Sequence, residues 1–179
     1  MNITNSKRLS FRLMSEKDAQ LLFELDQDPA VMKYINGAKP TSMHDINNVF
    51  IPRLNSYTSQ VDGWGLWQVN ITETKQFIGW ILVRPMGFFN NERNDKDLEL
   101  GWRFKQSTWG KGYASEAAIH IADTLSDNQN IEAFSAIAAI DNLASIGIMK
   151  KLGMRSIKEY THRDPLGDME AVLYRKNLR

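Results

Sequence analysis

Apolar and polar residues alternate along several short stretches of this chain, and that pattern predicts strands that bury one face. In 98–105 the residues Leu98, Leu100, Trp102 and Phe104 occupy every second position, so they share one face. Residues 134–140 are instead a continuous run rich in alanine and isoleucine, which is typical of a strand buried on both faces. The predicted strands are 8–13, 64–72, 77–85, 98–105, 134–140, 154–161 and 169–175.

Helices are predicted between these strands, where residues that favour helix starts precede apolar residues at helical spacing. Ser15 and Asp18 form a capping-box pattern before a stripe of leucines. Asp28 is an N-cap residue, and a proline follows it at the first helical position. A third helix, from 41 or 42 to 57, contains Pro52, which should kink or end it. The remaining predicted helices are 112–125 and 143–152.

The order of these elements is that of a mixed α/β domain: one strand, helices, three strands, a helix, a strand, a helix and two strands. The sequence has no internal repeats, low-complexity tracts or linkers, and 179 residues are enough for one domain with a real core. We therefore predict a single domain over 1–179. The polar segment 87–97 is predicted to be a loop, and 164–168 a turn between the last two strands.

Composition narrows the function classes. A net charge of +1 argues against a nucleic-acid binder, which would carry a basic excess. The chain has no cysteine, so disulfides, thiolate metal sites and a covalent thiol intermediate are excluded. No stretch approaches the roughly 18 consecutive apolar residues of a membrane span, and the first residues lack the apolar core of a signal peptide. We therefore expect a cytoplasmic protein that binds neither nucleic acid nor membranes.

A Gly-Lys-Gly turn lies where the strand 98–105 passes to the helix 112–125. It lacks the pattern of a P-loop and the third glycine or alanine of a dinucleotide fingerprint. The first N–H groups of a helix have no partners within the helix, and they attract anions. Glycines would let a pyrophosphate approach those groups. From the residues alone, an anion site and a simple turn are both open.

A second segment of interest follows the buried strand. Asn142 precedes a helix that Gly153 should end. Asn142 is explained equally well by a plain N-cap and by a ligand contact, and Ser145 by a surface position in the first turn.

Taken together, three segments resemble a known family. "LELGWRFKQSTWGKGYASEAA" and "DNLASIGIMKKLGM", in this order and at this separation, are similar to the acetyl-CoA-binding motifs of the GCN5-related N-acetyltransferases (GNAT). The opening "RLSFRLMSEKDAQLLFELDQDPAVMKYI" resembles the branch of that family that includes the RimJ and RimL ribosomal-protein-alanine acetyltransferases. The resemblance extends from about residue 9 to residue 175. It implies a central, mixed but mostly antiparallel sheet of about seven strands, flanked by helices.

The resemblance also implies a site for acetyl-CoA as co-substrate, with no metal. The backbone of the strand segment should contact the pantetheine arm, the glycine turn should hold the pyrophosphate, and the next helix should contribute an asparagine and a serine. The wider superfamily favours Arg or Gln at the position of Ser107, so the resemblance implies no side-chain contact there. The implied residues are Trp102, Arg103, Phe104, Trp109, Gly110, Lys111, Gly112, Tyr113, Ala114, Asn142 and Ser145.

Acyl transfer to an amine needs a base, because an alkylamine has a pKa of about 10. Without a cysteine nucleophile, direct attack in a ternary complex is expected. Glu99 occupies a position where the branch often carries an acid, and it is the candidate base, acting directly or through a water. An exposed strand glutamate is the alternative. Ser145 is the candidate group at the leaving sulfur, and a backbone N–H near Trp102 the candidate oxyanion donor.

The acceptor is the least defined part of the site. Tyr34, Trp64, Trp67, Phe88 and Phe89 are candidates to line its cleft, although tryptophans are commonly core residues. A protein N-terminus, a polyamine and an aminoglycoside-like amine all remain open, and the protein could be a monomer or a homodimer. A non-catalytic acyl-CoA-binding or sensing module, and a structural domain that binds nothing, are the competing functions. The three histidines show no metal-binding spacing.

Overall fold

The computed structural model describes residues 1–127, 130–163 and 168–178. In that part of the chain one sheet has seven strands in the order β1-β2-β3-β4-β5-β7-β6. All neighbouring strands are antiparallel except β4 and β5. This mixed, mostly antiparallel sheet confirms the predicted fold class. The strands are β1 Leu9–Leu13, β2 Gly65–Ile71, β3 Phe77–Met86, β4 Asn94–Phe104, β5 Ala133–Ala139, β6 Arg155–His162 and β7 Met169–Asn177.

Six α-helical segments flank the sheet in the described ranges. The predicted capping box is present, and the backbone N–H of Lys17 also donates to the Ser15 side chain. The helix expected around Pro52 is interrupted before the proline by a π-helical segment, Ile46–Phe50. Since proline cannot donate the helical hydrogen bond, the bonding pattern changes in the turn that precedes it. The helices are α1 Ala19–Leu25, α2 Pro29–Asn36, α3 Met43–Asp45, α4 Ile51–Tyr57, α5 Tyr113–Ser126 and α6 Leu143–Lys151.

The two faces of β4 contact different layers. Leu98, Leu100 and Phe104 are buried in the main core together with residues of α5 and α6. Leu82 of the neighbouring strand β3 lies on the other face, packed with the cluster that α4 and the π-helical segment contribute. Glu99 and Arg103 alternate with the apolar residues of β4, so they face this second layer. The alternation predicted for 98–105 therefore directs successive side chains of β4 to two different helical layers.

The central feature of the fold is a split in the sheet. β4 and β5 pair only over Asp97–Glu99 and Ala133–Ser135. Beyond that point β4 continues beside β3, and β5 continues beside β7 as far as Ala139. The two strands diverge, which opens a gap along the edge of β4 between Glu99 and Phe104.

The prediction that 87–97 is entirely loop was wrong for its last four residues. β4 begins at Asn94, which pairs with Met86, and the buried Asp97 pairs with Ala133. Asp97 is polar yet only 4% exposed, and it accepts a hydrogen bond from Ser135 at 3.0 Å. This strand start could not be recognised from the sequence, because its buried residue is an aspartate whose hydrogen-bond partner lies on another strand. Within the predicted turn 164–168, residues 164–167 lie outside the described ranges.

Candidate active site

Alternate residues of β4 turn their backbone groups into the gap. The Lys105 N–H donates to the Ile78 carbonyl at 2.9 Å, which fixes the phase of the β3–β4 ladder. In an antiparallel ladder the bonded pairs alternate, so Arg103 bonds with β3 whereas Trp102 and Phe104 face the other way. The Phe104 carbonyl accepts from the Trp109 indole at 2.9 Å. The edge therefore offers both backbone groups of Trp102 and the N–H of Phe104 to an extended ligand.

Arg103, the third predicted strand contact, is engaged elsewhere. Its guanidinium donates to Asp26 at 2.6 Å, and the two side chains are only 11% and 3% exposed. Thr41 donates to the same carboxylate at 2.9 Å. The Arg103 guanidinium also lies 5.0 Å from the centre of the Trp80 ring. Arg103 thus connects β4 to the end of α1 and to the segment before α3.

Three predicted residues meet across the gap. The Trp102 indole N–H donates to Ser145 Oγ at 3.1 Å, and the Ser145 backbone N–H donates to Asn142 Oδ1, also at 3.1 Å. Asn142 is therefore the N-cap of α6, as its plainer interpretation predicted, and its amide NH₂ remains a donor group. Because Ser145 Oγ accepts from the indole, its own hydroxyl proton can be given to another acceptor.

Both glycines of the turn have backbone angles that favour glycine. Gly110 has φ +73° and Gly112 has φ +79°. A Cβ at Gly110 would meet nothing within 4 Å, so the dihedral angle and not crowding selects glycine. Gly112 is the N-cap of α5, and no side chain caps the helix there. The free N–H groups and the helix dipole at this end suit an anion. Lys111 is exposed, and Trp109 is 49% exposed.

The start of α5 also carries an ionic cluster that the sequence did not reveal. Glu116 accepts from Arg8 Nε at 2.6 Å, from the Arg8 backbone N–H at 2.9 Å and from Ser6 Oγ at 2.7 Å. Arg8 Nη1 donates to the Lys111 carbonyl at 3.0 Å, and its guanidinium lies 4.4 Å from the centre of the Tyr113 ring. Burial raises the pKa of Glu116, but the hydrogen bonds from Ser6 and Arg8 outweigh burial and lower it. Glu116 is therefore a carboxylate at neutral pH.

Glu99 lies on the opposite face of the sheet from Trp102. It forms a cross-strand ion pair with Arg84, with Arg84 Nε at 2.8 Å from Glu99 Oε2. The two side chains are 13% and 17% exposed, so the alternative that Glu99 is an exposed strand glutamate is wrong. The Arg84 guanidinium therefore holds the orientation of the Glu99 carboxylate.

Aromatic residues surround this ion pair. Tyr57 of α4 lies 5.9 Å from Phe88 and 6.0 Å from Phe89 between ring centres, and the Arg84 guanidinium is 5.3 Å from the Phe89 ring centre. Burial raises the pKa of Tyr57 to about 12, so its phenol is protonated at neutral pH.

Three other aromatic predictions fall in different places. Trp64 packs against the main core, and the Arg93 guanidinium lies 5.7 Å from its ring centre and 4.7 Å from that of Phe88. Trp67 is 3% exposed in the main core, so its predicted place in a cleft is wrong. Tyr34 lies on α2 and contacts Lys33, and its role in acceptor binding stays a prediction.

Tyr160 and His162 of β6 were missed by the sequence analysis. The Tyr160 hydroxyl is 3.2 Å from His162 Nδ1. Burial and then the charge of Glu99 raise the pKa of Tyr160. No local motif marks these residues, because β6 follows β4 by some fifty residues and forms the outer edge of the sheet, beyond β5 and β7. Among the described residues, no group of three His, Asp or Glu side chains could hold a metal, and no helix could cross a membrane.

Comparisons with known proteins identify the family and the fold of this chain. The sequence matches the family described as "Acetyltransferase (GNAT) domain" over residues 8–155. It is 31% identical over 155 residues to the uncharacterized N-acetyltransferase YnaD of Bacillus subtilis (strain 168), covering 87% of this chain and 83% of that protein.

Two solved structures with bound coenzyme A share the fold. RimL, a ribosomal L7/L12 alpha-N-protein acetyltransferase, superposes with a TM-score of 0.75 at 14% identity, over 99% of this chain and 98% of RimL. The aminoglycoside acetyltransferase AAC(6′)-Ib superposes with a TM-score of 0.71 at 15% identity, over 92% and 93%. The family match extends over most of the chain, from the segment before β1 to the start of β6. The chain therefore belongs to the GNAT family and is an acetyl-CoA-dependent N-acetyltransferase.

Proposed function

We propose that this protein transfers an acetyl group from acetyl-CoA to a primary amine by direct attack in a ternary complex. The observation that carries the proposal is the gap along β4, which runs from Glu99 past Trp102 to the glycine turn at the start of α5. A donor laid along this path would have its thioester near the strand split and its phosphates at the helix. We also assign the chain to the RimJ/RimL-like branch on its opening segment.

The donor would be held mainly by backbone groups. Trp102 and Phe104 would bond the amides of the pantetheine arm, and the N–H groups from Gly110 to Ala114 would surround the pyrophosphate. Lys111 would add a positive charge there, and the Asn142 amide would donate to the arm from α6. These contacts fit the residues present, because both glycines have left-handed backbone angles and bring no side chain of their own to the turn. Arg103 would support the site from the opposite face of the sheet.

Two side chains would move protons. Glu99 would take the proton that the amine loses when its nitrogen bonds to the thioester carbon, directly or through a water. Ser145 would give its hydroxyl proton to the sulfur as the carbon–sulfur bond breaks. The Trp102 indole supports this role, since it occupies an acceptor site of Ser145 Oγ and leaves the hydroxyl free to donate. Positioned proton transfer of this kind is typically worth about 10²–10⁴ in rate.

Arginine side chains and aromatic rings lie close together around Glu99. The guanidinium groups of Arg53, Arg84 and Arg93 lie within 3.9–5.3 Å of the ring centres of Phe88 or Phe89. The carboxylates of Glu99 and Asp95 are paired with two of these arginines. The acceptor amine would reach Glu99 beside these rings, and a protein N-terminus, a polyamine and an aminoglycoside-like amine are the candidate acceptors.

Thermal unfolding with and without acetyl-CoA tests the donor site first. A ligand that binds only the folded state stabilises it by about 2.7 kcal/mol at a hundred times its Kd. Gly112→Asp should remove this stabilisation, since it adds both a negative charge and a strained left-handed residue. An amine screen with free-thiol detection then separates an enzyme from an acyl-CoA-binding module, which would bind but release no thiol. A wild-type protein that gains no stability from acetyl-CoA would refute the proposal.

A further inference from the structure

The cluster of Arg8, Glu116 and Ser6 lies beside the glycine turn but has no role in the chemistry above. Glu116 stands in the first turn of α5, where the helix and the free N–H groups favour an anion. Helical side chains lean toward the helix N-terminus, so this carboxylate lies over the turn and not away from it. A carboxylate near a pyrophosphate would repel it.

Arg8 forms an ion pair with this carboxylate. Its Nε donates to Glu116 Oε2 at 2.6 Å, and its Nη1 donates to the Lys111 carbonyl at 3.0 Å. Its Nη2 also lies 3.5 Å from the position that a Cβ would have on Gly112. One guanidinium therefore bridges the carboxylate and the backbone between the two glycines.

We propose that Arg8 is a positioning residue of the donor site, which screens the charge of Glu116 and holds the Lys111 carbonyl turned away from the pyrophosphate. This inference rests on the proposed function, because it concerns the pyrophosphate of coenzyme A. It extends the donor site to the segment before β1, which lies 108 residues from Glu116 in sequence. The Arg8 guanidinium contacts the carboxylate and the loop, and it acts on the pyrophosphate through them.

Calorimetric titration of coenzyme A tests this without a known acceptor. Arg8→Gln should weaken binding by about tenfold, or 1.4 kcal/mol, because it leaves the Glu116 carboxylate unscreened. Glu116→Gln removes the repulsion and should leave the Kd within about threefold of the wild type. The double variant Arg8→Gln/Glu116→Gln should return to within about threefold of the wild type. Lys7→Gln is the matched control, since it removes one positive charge from the exposed neighbouring position and should change nothing.

Salt gives a second readout that a purely structural role would not move. At an ionic strength of about 1 M the screening length falls to roughly 3 Å, so the defect of Arg8→Gln should shrink to about threefold or less. If Arg8→Gln unfolds, Arg8→Lys takes its place. Lysine keeps the positive charge but lacks the guanidinium that bridges Glu116 and the Lys111 carbonyl. We therefore expect an intermediate loss of affinity for coenzyme A.

The outcomes are distinct. If Arg8→Gln binds like the wild type, or if the double variant remains as weak as Arg8→Gln, the screening role is refuted. The second result would mean that Arg8 acts through the Lys111 carbonyl alone, contacts the phosphate itself or only supports the fold. If the wild-type protein does not bind coenzyme A, the donor site falls and this inference falls with it. If Arg8→Lys, tested in place of an unfolded Arg8→Gln, binds like the wild type, the bridging geometry is refuted.

Discussion

Removing the carboxylate of Asp26 should destabilise the protein far more than removing an exposed charge. Asp26 is 3% exposed at its side chain and pairs with Arg103, which is 11% exposed. Breaking one partner of a buried pair typically costs about 3–5 kcal/mol, because the remaining charge is left without compensation. Thr41 would also lose its hydrogen-bond acceptor. Stability of the native state is only about 5–15 kcal/mol in total, so Asp26→Ala should be severe.

Urea and thermal unfolding, followed by circular dichroism, measure this loss in the free energy of unfolding. At about 2–4 °C per kcal/mol for a chain of this size, Asp26→Ala should lower Tm by about 6–20 °C. Lys96→Ala is the matched control, because the Lys96–Glu132 pair is 62% and 53% exposed and should be worth less than about 1 kcal/mol. The double variant Asp26→Leu/Arg103→Met should recover most of the loss, since it leaves no unpaired charge. If Asp26→Ala costs no more stability than the Lys96 control, this ion pair does not stabilise the contact between β4 and the end of α1.

Four other outcomes are expected. Glu99→Gln should lower kcat by about 10²-fold or more while the Kd for coenzyme A stays constant, and equal turnover at all pH values would remove Glu99 from proton transfer. Ser145→Ala should lower kcat with a smaller effect on coenzyme A binding, and burst kinetics would show whether the slowed step is chemistry. Gly110→Ala should cost about 1–2 kcal/mol of stability through its left-handed backbone alone, which urea titration would detect. The pKa of Glu116 is lower in the folded state than in the unfolded state. Its contribution to stability is therefore complete above its ordinary pKa of about 4.3 and is lost as the pH falls through the lowered value. Glu116→Gln should flatten that part of the curve of stability against pH.

The sequence predicted the elements well because their causes are local. Alternation located β4, and the caps at Ser15, Asp28 and Asn142 each use a side chain within three residues of its backbone partner. The π-helical segment before Pro52 was not predictable, because periodicity does not distinguish it from an ordinary turn. The split between β4 and β5 was not visible either, since strand pairing depends on residues that lie far apart in sequence.

The donor and acceptor halves of the site differed in how far sequence could define them. The proposed donor half rests on backbone groups and glycine dihedral angles, and a short motif specifies both. The proposed acceptor half consists of side chains of α4, the segment after β3, and β4, so no motif contains it. Tyr57 and Arg84 complete the surroundings of Glu99, yet neither belongs to a local pattern.

This difference has a consequence for how such a chain can change its substrate. Substitutions at Phe88, Phe89 or Arg93 would alter the proposed acceptor surface while the backbone groups of β4 and the glycine turn stay in place. Donor binding should therefore survive when acceptor choice shifts, and a Phe89→Ala variant should keep the Kd for coenzyme A while its ranking of amines changes. If Phe89→Ala weakened the binding of coenzyme A instead, the two halves would be coupled through the Arg84–Glu99 pair. Arg84 contacts Phe89, and Glu99 lies where the pairing of β4 with β5 ends and the gap begins.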